Sequence, residues 1–306
     1  MQTLNLIGAG RVGQTIARLW QSSGRFALQD VLTQSTTSAQ SACAFIGAGH
    51  PVTQLAQMRA ADVWMLAVPD AQIAAVADAL AIHAQTRKPV APVPATMAAI
   101  SQNADTLASQ AAPIVFHCSG AQSSALLAPL SALGWHAASA HCILSFANAQ
   151  TATQQFPGTA CALEGDALAI AALHSAFTAI QARCFEVKSQ DKLLYHAGAV
   201  FATNFLPVLQ SVAEDAWRAS GVPADLLPGL RASLLNNAVA NITRLGPAGA
   251  LTGPAARGDL AAITAQAQAV AQWDPQAGAA YEALSGLALR LVKASTEASA
   301  TAASSH

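Results

Sequence analysis

Charge is scarce in this sequence. Only 10% of its 306 residues are charged, with Lys plus Arg at 15 against Asp plus Glu at 16 and a net charge of −1. No basic block stands ready to neutralise a run of phosphates, so nucleic acid is not an expected partner. Cysteine is sparse as well: Cys43, Cys118, Cys142, Cys161 and Cys184 are an odd number with no C-x-x-C pair. Reduced thiols are expected rather than a disulfide framework. The longest strongly apolar runs, such as "VWMLAV" from Val63, fall well short of the roughly 20 residues that cross a bilayer, so no membrane association is expected. The opening "MQTLNLIGAG" shows no basic segment followed by a long apolar core, which predicts a cytoplasmic protein without a secretory signal. What the sequence has in abundance is alanine within a 53% hydrophobic share, a composition suited to helices and close packing. The length exceeds one hydrophobic core and predicts two domains.

The first half alternates strand and helix signals. "TLNLIGAGRVGQTIARLWQSSG" reads as a short strand, a glycine turn and an amphipathic helix ending near Gly24. The turn carries Gly8-x-Gly10-x-x-Gly13. Gly8 permits a tight bend, Gly10 admits a pyrophosphate, and Gly13 lets helix and strand pack closely, with the N–H groups around Arg11 and Val12 as donors. "FALQDVLT", "ADVWMLAVPD", "PIVFHCSG", "TACALEG" and "ARCFEVKS" read as further strands, with a helix over 166–181. This rhythm predicts an α/β fold with a doubly wound, mostly parallel Rossmann sheet over residues 1–188. The stretch from His83 to Pro113 reads as an added loop and helix.

Ligands in such sheets bind beyond the carboxyl ends of the strands. Val68 and Pro69 occupy one such end. After the second strand stand Thr33, Gln34, Ser35 and Thr36, with no acidic residue for a ribose 2′-hydroxyl, and Asp30 lies too early. Thr33 and Ser35 suit a 2′-phosphate, so NADP is expected ahead of NAD. Asp70 reads as a helix cap or a cofactor contact.

"HCSG" from His117 and "SAHC" from Ser139 place two His-Cys pairs near strand ends. Neighbouring strand residues face opposite ways, so neither pair is expected to hold a metal. His117 and His141 read as satisfied structural histidines or as donors to a substrate. Ser119 and Gly120 offer a hydroxyl and an N–H next to the nicotinamide position.

From Ser189 onward no strand pattern survives, which predicts an all-helical domain over 189–306. In "KLLYHAGAVFATN" from Lys192, a helical period puts Lys192, His196, Ala199 and Thr203 on one stripe, with Tyr195 and Asn204 off it. A Lys and a His among small residues make a poor solvated face, and Lys192 there could donate a proton to a developing alkoxide, with His196 beside it. The alternative is a helix lining an interface, with Lys192 reaching to solvent. In "ALTGPAARGD", Thr252 and Arg257 are candidate substrate contacts, Arg257 as a carboxylate clamp. Alternatively, Asp259 caps the next helix and pairs with Arg257.

"GAGRVG", "AVPD", "HCSG", "KLLYHAGAVFATNFL" and "ALTGPAARGD", in this order, resemble the family pairing a Rossmann-like NADP-binding domain with a C-terminal domain of unknown function. That family is similar to the 6-phosphogluconate and β-hydroxyacid dehydrogenases, pyrroline-5-carboxylate reductase and ketopantoate reductases. In β-hydroxyacid dehydrogenases a catalytic Lys is followed one turn later by Asn; here Lys192 matches the Lys and His196 takes the Asn position. The family typically reads His-Pro where this chain has His141-Cys142. The resemblance implies a homodimer through the helical domains. The expected function is an NADP-dependent oxidoreductase transferring a hydride to or from a small carbonyl or hydroxy acid in the interdomain cleft, with Lys192, His196 and Ser119 catalytic and Gly120, His141, Thr252 and Arg257 at the substrate. Ketopantoate or imine reduction is the alternative reaction, and a non-catalytic NADP(H)-sensing protein the alternative class.

Overall fold

In the computed structural model, which describes residues 1–86 and 112–303, the glycine turn lies where the period of the sequence changes. β1 (Thr3–Ile7) leads through it into α1 (Arg11–Ser22), followed by β2 (Ala27–Leu32), α2 (Thr36–Ile46), β3 (His50–Val52), β4 (Val63–Leu66) and α3 (Ile73–Thr86). Then come β5 (Ile114–His117), α4 (Ala128–Ser131), β6 (His136–Cys142), α5 (Ala149–Gln155), β7 (Ala160–Gly165), α6 (Ala167–Thr178) and β8 (Arg183–Glu186). Most of the loop-and-helix segment expected between His83 and Pro113 lies outside the described residues.

The strands form one sheet in the order β3-β2-β1-β4-β5-β6-β7-β8. All pairs are parallel except β6 with β7. Chain order reverses between β1 and β4, the position where a doubly wound sheet opens a crevice at its carboxyl edge. The expected strands are all present. β3 gave no clear pattern in the sequence because it is a three-residue strand with Pro51 at its centre, a residue tolerated at a sheet edge.

Each face of the sheet has its own core. On one, Trp20 of α1 packs edge-on against Phe26 and Phe116 and tilted against Phe177 of α6, which itself meets Phe116 edge-on, and the Trp20 indole N–H donates to the Ala176 carbonyl at 2.8 Å. On the other, Ile73, Ala77 and Leu80 of α3 cover Ile7, Leu66 and Val115. Strand alternation sends Val115 and His117 to this second face, and the register of β5, β6 and β7 aligns His117, Ser139 and Glu164 in one row across it. A polar row therefore continues an apolar layer.

The chain divides into two compact units, Met1–Val200 and Phe201–His306. The first includes α7 (Lys192–Ala199), so it extends beyond Lys188, where strand pattern gives way to helix. A wide π-turn over residues 200–204 follows. Its extra residue takes Thr203 off the straight stripe expected from Lys192. The second unit holds α8 (Phe205–Ala219), α9 (Leu227–Ala250), α10 (Gly253–Arg257), α11 (Leu260–Trp273) and α12 (Pro275–Ala303). α9 breaks at Gly246, whose φ of 70° is followed by Pro247. Among the described residues of this unit only Leu227, Ala267 and Ala277 are buried hydrophobics.

Candidate active site

The three glycines of the first turn meet three different surroundings. Gly8 adopts φ +82°, and a Cβ there would stand 2.7 Å from the Ala67 carbonyl oxygen. A Cβ on Gly13 would meet the Gly8 carbonyl at 2.8 Å and Ala67 Cβ at 2.9 Å. Gly10 has nothing within 4 Å of its Cβ position. Gly10 is also the N-cap of α1, and no side chain caps that end. Its first-turn N–H groups and positive dipole end are therefore open to an anion.

Gly8 and Gly10 line a pocket of about 660 Å³ with Thr33, Gln34, Ser38, Val68 and Pro69. Among the described residues its lining contains no acidic side chain. Asp30 is withdrawn from it: its carboxylate is 1% exposed and accepts from the Arg59 backbone N–H and guanidinium. Ser35 does not line the pocket; its hydroxyl caps α2 by accepting from the Ser38 N–H. Arg11 donates to the Ala147 carbonyl, and Val12 packs on the core, so neither side chain lines the pocket. Ser38 and Gln34 were not singled out by the sequence, although both lie on the turn that carries Thr33. The open glycine cradle, uncapped helix end and hydroxyl-rich far wall fit a dinucleotide diphosphate.

Directly after Pro69 the chain enters a second cluster. Asp70 does not cap a helix; its carboxylate accepts from the Ser119 hydroxyl at 2.7 Å. The same hydroxyl accepts from the N–H groups of Ala121 and Gln122, which fixes the turn after β5. His117 locks that turn from behind, its Nδ1 accepting from the Ser119 N–H and its Nε2 lying 3.1 Å from the Ser123 carbonyl. Burial holds the His117 pKa below its ordinary value, consistent with a neutral ring with the proton on Nε2. His117 is thus a satisfied structural histidine.

Lys192 is 1% exposed and does not reach solvent. Its ammonium donates to the Ser119 carbonyl at 3.2 Å and to the Ser139 hydroxyl at 2.7 Å, and stands 4.0 Å from the Glu164 carboxylate. Glu164 is buried too and accepts from the Ser139, Ser124 and Ser189 hydroxyls and the Ser124 N–H. Burial pulls the Lys192 pKa down, with Glu164 and Asp70 pulling the other way. On Glu164, burial opposes these hydrogen bonds, and the net result is a lowered pKa. The sparse polar stripe of α7 therefore faces inward, while Leu193 and Leu194 are 70% and 79% exposed.

One turn on, His196 packs edge-on to His141, ring centroids 5.5 Å apart. His141 Nδ1 pairs with the Tyr195 hydroxyl at 2.8 Å, so Tyr195, off the stripe in the sequence, belongs to the cluster after all. Burial, reinforced by His196 and Lys192, lowers the His141 pKa to about 4. Gly120 makes this crowding possible: a Cβ there would lie 2.6 Å from His196 Nδ1 and 2.9 Å from His141 Nε2. Among the described residues, His196 Nδ1 is the one buried side-chain nitrogen or oxygen without a hydrogen-bond partner. Such an atom marks a place for a ligand group. Cys142 turns away from His141 to the opposite face, where its thiol meets Cys161 at 3.3 Å.

Thr252 and Arg257 belong to the second unit, at the two ends of α10. Asp259 caps α11 through the Ala262 N–H, and no ion pair with Arg257 occurs among the described residues. Asn204 is exposed and accepts from the Thr203 hydroxyl.

Sequence reasoning missed Ser139 and Glu164 as site residues, and weighed Asp70 only as a helix cap or a cofactor contact. The available signal was a lone Glu in an apolar strand and a lone Lys in an apolar helix, since a charge is rarely buried without a partner.

No curated protein matches the chain. Among solved structures, a protein of Thermotoga maritima is 20% identical with a TM-score of 0.70, covering 96% of this chain and 100% of that one. A candidate NADP oxidoreductase of Bacteroides fragilis is 19% identical, with a TM-score of 0.66 and coverage of 94% and 98%. The pyrroline carboxylate reductase of Plasmodium falciparum, solved with NADP bound, is 11% identical with a TM-score of 0.53, covering 95% and 98%. These likenesses establish a shared fold. Residues 3–93 match the family described as NADP oxidoreductase, coenzyme F420-dependent, and residues 159–287 match the domain of unknown function DUF2520. With the glycine turn inside the first match and the buried lysine inside the second, the chain joins a Rossmann domain of the NADP oxidoreductase kind to a DUF2520 domain.

Proposed function

We propose that the protein is an NADP-dependent oxidoreductase that transfers a hydride to or from a small carbonyl or hydroxy acid. The observation that carries this reading is the continuity of the two clusters: Val68 and Pro69 line the dinucleotide pocket, and Asp70, next in the chain, holds the Ser119 turn on which the Lys192 ammonium rests. A bound nicotinamide dinucleotide supplies or accepts the hydride. Gly8, Gly10 and the open end of α1 would hold its diphosphate, and Thr33, Gln34 and Ser38 the 2′-phosphate end. With no carboxylate on that wall to favour a free 2′-hydroxyl, NADP is preferred to NAD.

Lys192 then serves the substrate oxygen. A carbonyl that takes a hydride becomes an alkoxide, and an ammonium whose pKa is lowered by burial both stabilises that charge and gives up a proton readily. Ser119 orients the ammonium through its carbonyl. His196 Nδ1, lacking a protein partner, offers the substrate a hydrogen bond beside Gly120 and His141. Reduction of a cyclic imine or of a ketopantoate-like keto acid uses the same groups.

A screen of keto acids, hydroxy acids and cyclic imines for NADPH oxidation or NADP reduction tests the reading. Lys192→Met should lower turnover by more than about tenfold while NADPH affinity is retained, the pattern of a transition-state contact. Unchanged turnover removes Lys192 from the chemistry. A second reading, a non-catalytic NADP(H) sensor, is favoured by the near-complete burial of Lys192, and absence of turnover on every class together with tight NADPH binding would establish it.

A further inference from the structure

A lysine that gives a proton to substrate must recover it, and Lys192 is 1% exposed. The hydrogen bonds around it lead away from the nucleotide pocket. Lys192 Nζ donates to Ser139 Oγ at 2.7 Å, and Ser139 Oγ donates to Glu164 Oε2 at 2.8 Å. Glu164 in turn borders a separate pocket of about 510 Å³, lined also by Ser124, Ser189, His136 and Asp166. Ser189 and Ser124 place their hydroxyls on its other oxygen at 2.6 and 2.9 Å. These groups lie on β6, β7 and the segments flanking them, all within the first unit. The ion pair is therefore bridged by a hydroxyl that is both donor and acceptor, and its acidic end adjoins a cavity that shares no lining residue with the one at the glycine turn.

We propose that Ser139 and Glu164 form a proton relay that recharges Lys192 from this second pocket. The relay rests on the reading of Lys192 as the proton donor. In the reducing direction an N–H bond of Lys192 breaks as an O–H bond forms on the substrate alkoxide, leaving a neutral amine. Glu164 takes a proton from a solvent acid, hydronium or a buffer acid, that enters the second pocket, and the conjugate base returns to solvent. The Ser139 hydroxyl turns from Glu164 to the neutral amine and gives its proton to Lys192 Nζ while the Glu164 carboxyl proton moves to Ser139 Oγ, which restores ammonium, hydroxyl and carboxylate. The oxidising direction runs the same transfers in reverse. Ser139 and Glu164 never touch substrate, so they are positioning and conducting groups. The same geometry explains why a fully buried ammonium is compatible with turnover: it needs contact with a proton carrier, not with bulk water.

The test is exchange of the Lys192 ammonium protons with solvent, read by nitrogen-15 NMR of the full-length protein labelled at lysine. The sequence holds four lysines, Lys88, Lys188, Lys192 and Lys293, and Lys192→Met assigns the signal. Ser139→Ala should slow exchange by about tenfold or more, because the hydroxyl that carries the proton is gone, whereas Ser139→Thr should retain it. Thermal unfolding checks that both variants are folded, and Ser139→Thr carries the comparison if Ser139→Ala is not, since slowed exchange with the hydroxyl retained contradicts the relay. Exchange that is equal or faster in Ser139→Ala overturns the proposal, because protons then reach Lys192 by opening of the fold. This result is independent of substrate. Turnover unaffected by Lys192→Met would defeat the reading of Lys192 as donor while leaving the exchange result standing.

Discussion

Gly10 and Gly13 stand three residues apart in one turn, yet the account expects different outcomes from the same substitution. Gly13→Ala places a methyl 2.8 Å from the Gly8 carbonyl, and such overpacking typically costs about 1–3 kcal/mol of stability. Gly10→Ala meets nothing within 4 Å. It should leave the unfolding midpoint nearly unchanged and weaken NADPH binding by about tenfold, since the methyl occupies the space through which a diphosphate approaches the backbone. Thermal unfolding and NADPH titration of the two variants check this. At this scale the conformation of the glycine turn was legible in the sequence, because it is set by neighbouring residues in the chain. The Lys192 surroundings were not. Lys192 meets Ser119 across 73 residues and Ser139 across 53, and Ser139 meets Glu164 across 25. Only the register of the sheet decides which strand residues become neighbours.

At the scale of elements, α7 inverts the usual rule that the polar face is the wet one. Its charged residue is buried and its leucines are exposed. The period of the sequence identified the helix and its two faces, but which face turns inward depended on the row of polar side chains contributed by β5, β6 and β7. The antiparallel pairing of β7 with β6 was equally unreadable, since strand sequences do not announce direction. The row makes a stability prediction. Replacing one partner of a buried ion pair leaves the other charge stranded, so Glu164→Gln should cost about 3–5 kcal/mol. Lys192→Met combined with Glu164→Gln should recover part of that loss, giving a favourable coupling term in denaturant unfolding. Additive losses would mean that the pair is not coupled.

Across the whole molecule, the two units differ in how they bury apolar surface. The sheet has a core on each face, whereas the helical unit buries only Leu227, Ala267 and Ala277 among its described hydrophobics. On α8 alone, Phe205, Leu206, Val208, Leu209 and Val212 are exposed at helical spacing. A contiguous stripe of this kind calls for a covering surface, which a second copy of the same unit would supply. Light scattering should give twice the chain mass of 31.1 kDa, and Val208→Glu with Val212→Glu should yield monomer. A monomeric wild-type protein would contradict it. The passage from alternating strands and helices to helices alone was visible in the sequence because strand patterns cease after β8. The exposed stripe was not, because apolar spacing alone does not distinguish an internal core from a surface between subunits.

The most direct test of the account is a fluorescence titration of the purified protein with NADPH and NADH in parallel. Saturable NADPH binding, tighter than NADH and weakened by Gly10→Ala, is the predicted result. Binding of neither nucleotide would reduce the glycine turn to a structural feature and remove the basis of the oxidoreductase mechanism.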